Sequence, residues 1–90
     1  MYTIVATNKF KKDFKLCIKR GLNTDLIEEV IFELEKNGSL PSNYKPHLLK
    51  GNFKGFWECH IQPDWLLIWQ QDDEIKLISL TRTGTHSDLF

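Results

Sequence analysis

The chain has 90 residues and three histidines, and its 12 Lys and Arg balance 12 Asp and Glu to give a formal net charge of zero. We expect residues 1–90 to form one domain, because a single hydrophobic core suits this length and two cores do not. No apolar run approaches the roughly 20 residues of a membrane helix, which excludes a membrane protein of that class. No signal-like apolar segment precedes Cys17 and Cys59, so we interpret both as free thiols of a cytoplasmic protein.

The charges are segregated along the sequence. The N-terminal segment is basic apart from Asp13, the next segment is mainly acidic, and a stretch with Lys45, Lys50 and Lys54 is basic again. Taken singly, most of these charges are typical of solvated helix faces. Their segregation nevertheless allows one basic face on a neutral molecule, so a net charge of zero does not exclude binding to nucleic acid.

A short strand and two helices are predicted for the first half of the chain. The β-branched residues among positions 2–6 favour a strand, and Thr7 or Asn8 can cap the helix after it. Apolar residues then recur at helical spacing in two segments, which end at Gly21 and Gly38. The first apolar face consists of Phe10, Phe14, Cys17 and Ile18, and the second of Leu26, Ile27, Val30, Ile31 and Leu34.

The second half predicts a long loop and three strands. Residues 39–55 lack periodicity and are interrupted by Pro and Gly, so we expect a partly ordered loop. Strands are predicted over residues 56–62, 65–71 and 75–81, joined by tight turns. The order β-α-α-β-β-β indicates an α+β fold, in which a helical hairpin packs on one face of a twisted, mainly antiparallel sheet.

Polar residues of the first of these three strands are candidates for proton transfer. Because alternate residues of a strand share a face, we expect Glu58 and His60 side by side on the exposed face of the sheet. Asp64 lies at the following turn and can reach the same end of the strand. A carboxylate and an imidazole suit proton transfer near neutral pH, although taken alone the cluster is also typical of an ordinary polar surface.

The C-terminal segment adds three groups that RNA cleavage requires. Attack of a 2′-hydroxyl on the adjacent phosphate needs a base, a cation for the phosphorane charge and an acid for the leaving 5′-oxygen. Thr85 and Asp88 have the spacing of a capping box, which would fix His86 in one helical turn. Arg82 supplies a permanent cation, and Phe90 supplies a ring on which a splayed base can stack.

Each of these residues also has an ordinary structural interpretation. His47 alone would be a loop histidine, and His86 a surface residue of a capping turn. Phe90 could anchor the C-terminus to the core, unless Leu89 does so and leaves Phe90 free. Asp88 is interpreted as a cap rather than a catalyst. The tryptophans are interpreted as packing residues: Trp57, Trp65 and Trp69.

A metal site is the weakest interpretation of the histidines. Zinc could in principle bind the set His47, His60, Asp64 and His86. The spacing of these residues lacks a compact ligand motif, and Arg82 nearby would repel a cation. We therefore expect no metal and no other cofactor.

Three segments resemble motifs of the YafQ-type toxins, which belong to the RelE/ParE superfamily of bacterial toxin–antitoxin systems. The segments are H-L-L-K-G at 47–51, G-F-W-E-C-H-I-Q-P-D-W-L-L-I at 55–68 and R-T-G-T-H-S-D-L-F at 82–90. The resemblance spans the whole chain in length and element order, and it is densest from 47 to 90. The middle motif is long and specific.

The resemblance implies a specific function and a set of partners. Members of this family are mRNA interferases that cut messenger RNA in the ribosomal A site. They are silenced by a DinJ- or RelB-like antitoxin, and the pair represses its own operon, so that operator DNA is contacted only through the antitoxin. No membrane is involved.

The resemblance also implies roles for individual residues at the matching motif positions. The implied acid–base residues are His47, His60, Asp64 and His86. Arg82 would stabilise the transition state, Glu58 would assist, and Phe90 would position the RNA, with Lys50 and Lys54 as further RNA contacts. The division between base and acid stays open; our hypothesis is His86 as the acid, with His60 and Asp64 on the 2′-hydroxyl side.

A non-enzymatic toxin is the alternative on the same scaffold. ParE-like proteins resemble this fold and inhibit a protein target such as gyrase, but they lack the constellation of His, Asp and Glu residues. Retention of that constellation favours the nuclease, which the fold alone would not decide.

Overall fold

Five strands and three helices follow one another along residues 1–90 of the computed structural model. They are β1 (Thr3–Ala6), α1 (Asn8–Lys19), α2 (Thr24–Asn37), β2 (His47–Leu48), β3 (Trp57–Gln62), β4 (Trp65–Asp72), β5 (Leu77–Gly84) and α3 (His86–Leu89). The strands form one sheet in the order β1-β5-β4-β3-β2. β1 runs parallel to β5 and all other neighbours are antiparallel, which confirms the predicted α+β architecture. The predicted order β-α-α-β-β-β lacked β2, and α3 is the helical turn predicted around His86.

Polar side chains begin both long helices as the sequence predicts. The Thr7 hydroxyl accepts a hydrogen bond from the Phe10 amide at 3.1 Å, and the Asn23 side chain accepts one from Asp25. These bonds satisfy amides that a helix leaves without an internal partner. α2 ends at Gly38 in the left-handed conformation, with φ of 67°. A Cβ atom there would collide with the ring of Tyr2, so two constraints require glycine at this position.

The helical hairpin covers one face of the sheet and forms the main core with it. The buried core residues are Phe10, Cys17, Ile27, Val30, Leu34, Cys59, Ile61, Trp65, Leu67, Trp69, Ile78 and Leu80. The prediction for Ile18 was wrong, because its side chain is 51% exposed. Consecutive helical positions differ by roughly 100° around the axis, so the residue after buried Cys17 turns away from the sheet. Both cysteines are buried and unpaired, and burial raises the pKa of Cys59 to about 12.

The last strand is shifted toward the C-terminus relative to the predicted range 75–81. The Asp72 carboxylate accepts hydrogen bonds from the backbone amides of Glu74 and Ile75, which fixes a turn before the strand begins. Ile75 therefore lies in the turn and is 67% exposed. As a consequence, Arg82 belongs to β5 and not to a tail that follows it.

The predicted loop 39–55 contains more structure than its composition indicates. It holds two short 3-10 turns, Ser42–Tyr44 and Gly51–Phe53, and the two-residue strand β2. β2 pairs with the start of β3 and extends the sheet by one strand.

A second, smaller apolar cluster lies on the other face of the sheet. Leu66 and Ile68 of β4 are buried there together with Leu89 of α3. Leu49, Phe53 and Phe56 pack against this cluster. Leu89 thus anchors the C-terminal helix, as one of the two alternatives predicted. None of the helices has the length and apolar character needed to cross a membrane.

Candidate active site

Three histidines from three different elements form a row on the face of the sheet opposite the helical hairpin. His47 comes from β2, His60 from β3 and His86 from the start of α3. The ring centroids of His47 and His60 are 6.4 Å apart, and those of His60 and His86 are 6.0 Å apart. The Phe90 ring continues the row at 6.5 Å from His86. The structure therefore brings together residues that lie far apart in the sequence.

The C-terminal capping box fixes the position of α3 and with it His86. The Thr85 hydroxyl accepts a hydrogen bond from the Asp88 amide, and the Asp88 carboxylate accepts one from the Thr85 amide at 2.9 Å. A Cβ atom at Gly84 would stand 2.8 Å from a carboxylate oxygen of Asp88, so glycine allows this close approach. Asp88 is a cap, as predicted.

A carboxylate holds the His86 ring. Asp64 Oδ1 accepts hydrogen bonds from the backbone amide of His86 at 3.0 Å and from its Nδ1 at 2.7 Å. These two bonds, the backbone one first, hold the pKa of Asp64 below its usual range, so the carboxyl is ionised at neutral pH. An ionised carboxylate can only accept, which assigns the proton to Nδ1 and leaves Nε2 free to exchange a proton with a substrate.

A backbone carbonyl orients His60 in the same way. The Nδ1 atom of His60 lies 3.3 Å from the carbonyl oxygen of Pro63, which can only accept a hydrogen bond. The Nε2 atom of His60 forms no hydrogen bond within the protein and is the second nitrogen available for proton exchange.

His47 lies between a backbone carbonyl and Glu58. The Lys45 carbonyl can only accept, so His47 Nδ1 donates to it at 2.8 Å. His47 Nε2 faces the carboxyl group of Glu58, 3.2 Å from Oε1.

The prediction that Glu58 is exposed was wrong. Its side chain is buried, and Oε2 has no hydrogen-bond partner. β2 lies alongside it, and the segment that follows β2 packs on the same face of the sheet. Because β2 has only two residues, it shows no periodic pattern, and nothing in the sequence predicted that Glu58 would be buried beside it.

Arg82 forms no hydrogen bond with the histidine row. Cα pairing places it opposite Ile68, and Ile68 opposite Glu58, so two strands separate Arg82 from His47. Its guanidinium group binds Asp13 of α1, with Nε 2.7 Å from Oδ2 and Nη2 3.3 Å from Oδ1. This bond raises the pKa of Arg82 above its already high ordinary value.

Asp13 is a structural partner of the site that the sequence did not reveal. Besides Arg82, it accepts a hydrogen bond from the backbone amide of Thr83 at 3.2 Å. That amide lies on the edge of β5 beyond the end of β1, where no strand pairs with it. The one available signal was that Asp13 is the only acid in a strongly basic segment.

Aromatic rings extend the site beyond the histidines. Phe90 is 63% exposed and lies edge-on to Phe53, with ring centroids 5.5 Å apart. Phe53 in turn packs edge-on against Phe56 at 5.8 Å, and it was not predicted as a site residue. Lys50 and Lys54 flank the turn that carries Phe53, and both are exposed and without an ion pair. No group of three or more His, Cys, Asp or Glu side chains has an arrangement that could hold a metal ion.

We expect acid to loosen α3. Arg20 binds the Asp88 carboxylate at 2.6 Å, and this bond followed by the Thr85 amide lowers the pKa of Asp88 well below its unfolded value of about 3.9. Such a lowered pKa contributes stability that is complete above pH 4 and is lost as the pH falls below it. The difference in melting temperature between the wild type and Asp88→Asn should therefore be large at pH 7 and shrink steadily from pH 4 to pH 2. A difference that stays constant over this range would contradict the role of the Arg20 bond.

Comparison with known proteins assigns the chain to a family. The family described as "Bacterial toxin of type II toxin-antitoxin system, YafQ" matches residues 2–90. The chain belongs to the YafQ toxin family. It is 39% identical to the mRNA interferase toxin YafQ of Escherichia coli K12 over 88 residues, which are 97% of this chain and 94% of that protein.

Solved YafQ structures share the fold over the whole chain. The crystal structure of YafQ from E. coli BL21(DE3) has a TM-score of 0.92 at 36% identity, covering 100% of this chain and 99% of the other. YafQ in the E. coli DinJ–YafQ complex has a TM-score of 0.90 at 37% identity, with the same coverage. The resemblance to YafQ-type toxins is thereby confirmed, and the ParE-like alternative is not supported.

Proposed function

We propose that this YafQ family member is an endoribonuclease that cleaves messenger RNA by acid–base catalysis. The observation that carries the proposal is the row of His47, His60 and His86, in which two rings present a free Nε2 beside the exposed ring of Phe90. Two such groups can serve as base and acid for one phosphodiester, and the phenyl ring can stack a splayed base. The name of the E. coli relative, an mRNA interferase, supports the same activity.

The proposed reaction needs two proton transfers. The Nε2 atom of His60 takes the proton of the 2′-hydroxyl as the 2′-oxygen bonds to phosphorus. The P–O5′ bond breaks, and the Nε2–H group of His86 gives its proton to the departing 5′-oxygen. The products are a 2′,3′-cyclic phosphate and a 5′-hydroxyl end. Since Asp64 binds His86 at 2.7 Å, we assign it to the acid as a positioning residue, in place of the expected assignment beside His60.

The charge of the phosphorane requires cations near these two histidines. Arg82 keeps one nitrogen, Nη1, without a hydrogen bond in the protein, and its side chain is 23% exposed. We propose that this nitrogen approaches the RNA backbone, and that Lys50 and Lys54 contact phosphates beyond Phe90.

The ribosome is the proposed site of action. A molecule with zero net charge has little general affinity for RNA, because phosphate contacts by Lys and Arg supply most of that affinity. A substrate presented in the ribosomal A site compensates for this weakness. This setting also implies the cytoplasm, where buried thiols such as Cys17 and Cys59 stay reduced.

A DinJ- or RelB-like antitoxin is the proposed partner. The E. coli relative has been crystallised with DinJ, and this chain matches that YafQ over its full length. We propose that the antitoxin silences the toxin, and that the complex reaches operator DNA only through the antitoxin.

The test is to map cleavage on translated and untranslated copies of one message after expression without the antitoxin. We expect growth arrest, and cuts with 5′-hydroxyl ends in the translated copy alone. Co-expression of the antitoxin should remove both effects. Growth arrest with every message intact would refute the nuclease and return the ParE-like alternative to consideration.

A further inference from the structure

A polar cleft opens beside His60, the middle histidine of the row. Its volume is about 280 Å³, close to the lower end of small-ligand pockets at roughly 300 Å³. Its lining includes Asn43, Lys45, His60, Gln62 and Pro63, and we call it the side cleft. Because His60 belongs both to the side cleft and to the histidine row, a group bound in the cleft lies next to the proposed reacting phosphate.

The two walls of the side cleft each hold one histidine of the row. On one wall the Lys45 carbonyl binds His47 Nδ1 at 2.8 Å, and on the other the Pro63 carbonyl binds His60 Nδ1 at 3.3 Å. Lys45 adopts a left-handed conformation with φ of 52°, fixed by a 2.9 Å bond from its amide to the Ser42 carbonyl. A non-glycine residue in this conformation is strained, and such strain persists where the surrounding structure determines the backbone. The walls therefore position both histidines.

The side chains at the mouth of the cleft are suited to reading a nucleobase. Asn43 and Gln62 are exposed, and neither side chain forms a hydrogen bond within the protein. A carboxamide presents a donor and an acceptor next to each other, which matches the edge of an unstacked base. Tyr44 adds aromatic surface to the lining, and Lys45 adds a cation, whereas no carboxylate lines the cleft.

We propose that the side cleft binds a single unstacked nucleobase of the substrate RNA, adjacent to the bond that is cut. The carboxamides of Asn43 and Gln62 read the edge of this base, and the Lys45 ammonium group contacts its phosphate. Phe90 lies beside His86, does not line the side cleft, and stacks a different base. The RNA is thus splayed across the histidines, as single-stranded RNA is commonly bound. This inference rests on the proposed nuclease function and names the residues that determine its sequence preference.

The first test compares cleavage-site profiles on one translated message. Asn43→Ala and Gln62→Ala should each weaken base preference at a single position next to the cut by roughly tenfold, because one bidentate contact discriminates by about that amount or more. Because neither residue touches a histidine nitrogen, the change should be confined to that position, and the base preferences at the other positions of the profile should stay as in the wild type. The matched control is Gln70→Ala, an exposed carboxamide of β4 outside the cleft, which should leave the profile unchanged.

The second test observes binding without cleavage. Nuclear magnetic resonance of the wild-type protein with 2′-deoxy tetranucleotides, which cannot react, should shift the side-chain amide signals of Asn43 and Gln62 and not that of Gln70. If the wild type cleaves translated messages while both variants keep its profile and these signals stay fixed, the side cleft is not a base site and the nuclease proposal stands. If the wild type cuts no message, the nuclease proposal fails and the inference fails with it.

Discussion

Replacing His86 by alanine is expected to lower the rate of mRNA cleavage by about 10²–10⁴-fold, because a positioned general acid contributes that much to a proton-transfer step. His86 is the only histidine of the row whose Nδ1 is bound by a carboxylate. It is 55% exposed at the side chain, so its removal leaves no cavity in the core. The measurement is single-turnover cleavage of a message on programmed ribosomes.

Two further variants separate proton transfer from simple disruption of α3. Ser87→Ala changes the neighbouring exposed position and should cleave at the wild-type rate. Asp64→Asn removes the ionised carboxylate that binds the ring and the backbone amide of His86, so the rate of cleavage should fall, but less than for His86→Ala. An Asp64→Asn variant that cleaves at the wild-type rate would show that Asp64 does not position the acid. Near-normal cleavage by His86→Ala would exclude His86 as the acid.

Replacing Asp13 by alanine is expected to lower the free energy of unfolding by roughly 2 kcal/mol, although Asp13 is distant from the histidines. One carboxylate binds Nε and Nη2 of Arg82 and the amide of Thr83, so its loss leaves a partly buried cation and a backbone donor without partners. Complete burial would give a larger loss; here the side chains of Arg82 and Asp13 are 23% and 15% exposed. Urea denaturation at pH 7 measures the effect.

The chain offers matched controls for this variant. Lys12→Ala lies on an exposed position of the same helix and should change stability by less than about 0.5 kcal/mol. Asp13→Asn keeps one acceptor oxygen for the Thr83 amide and should lower the free energy of unfolding less than Asp13→Ala does. In a double-mutant cycle, Asp13→Ala should lower the free energy of unfolding much less in an Arg82→Met background, because that background has no cation to be left unpaired. Equal costs in the two backgrounds would contradict a coupling between Asp13 and Arg82.

Local sequence patterns were enough to predict the elements that show an apolar periodicity or carry a capping residue. Helical spacing predicted α1 and α2, and alternation predicted the core side of β3. The spacing of Thr85 and Asp88 predicted the C-terminal capping box that holds His86. The three segments that resemble YafQ-type toxins supplied most of the support for the candidate site residues, because a polar residue on an open face carries no functional signal by itself.

The features that the sequence did not predict depend on contacts between segments that are distant along the chain. β2 has two residues and therefore no period, and the burial of Glu58 beside it was missed for the same reason. The bond between Asp13 and Arg82 joins α1 to β5 and leaves no local trace. The β-branched side chain of Ile75 favours a strand, whereas the Asp72 carboxylate fixes a turn at that point.

The position of β5 between β1 and β4 affects the order in which the molecule can fold. β1 and β5 come from opposite ends of the chain, and their parallel pairing requires the whole intervening chain to close into a loop. Such non-local pairing slows folding, so we expect β1 to pair with β5 late in folding. Asp13, which binds the free edge of β5, lies in α1, the helix that follows β1 in the sequence. We therefore expect the proposed nuclease site to form together with the N-terminal segment. A chain that has folded only its β3–β4 hairpin would present His60 without His47 and His86 in place.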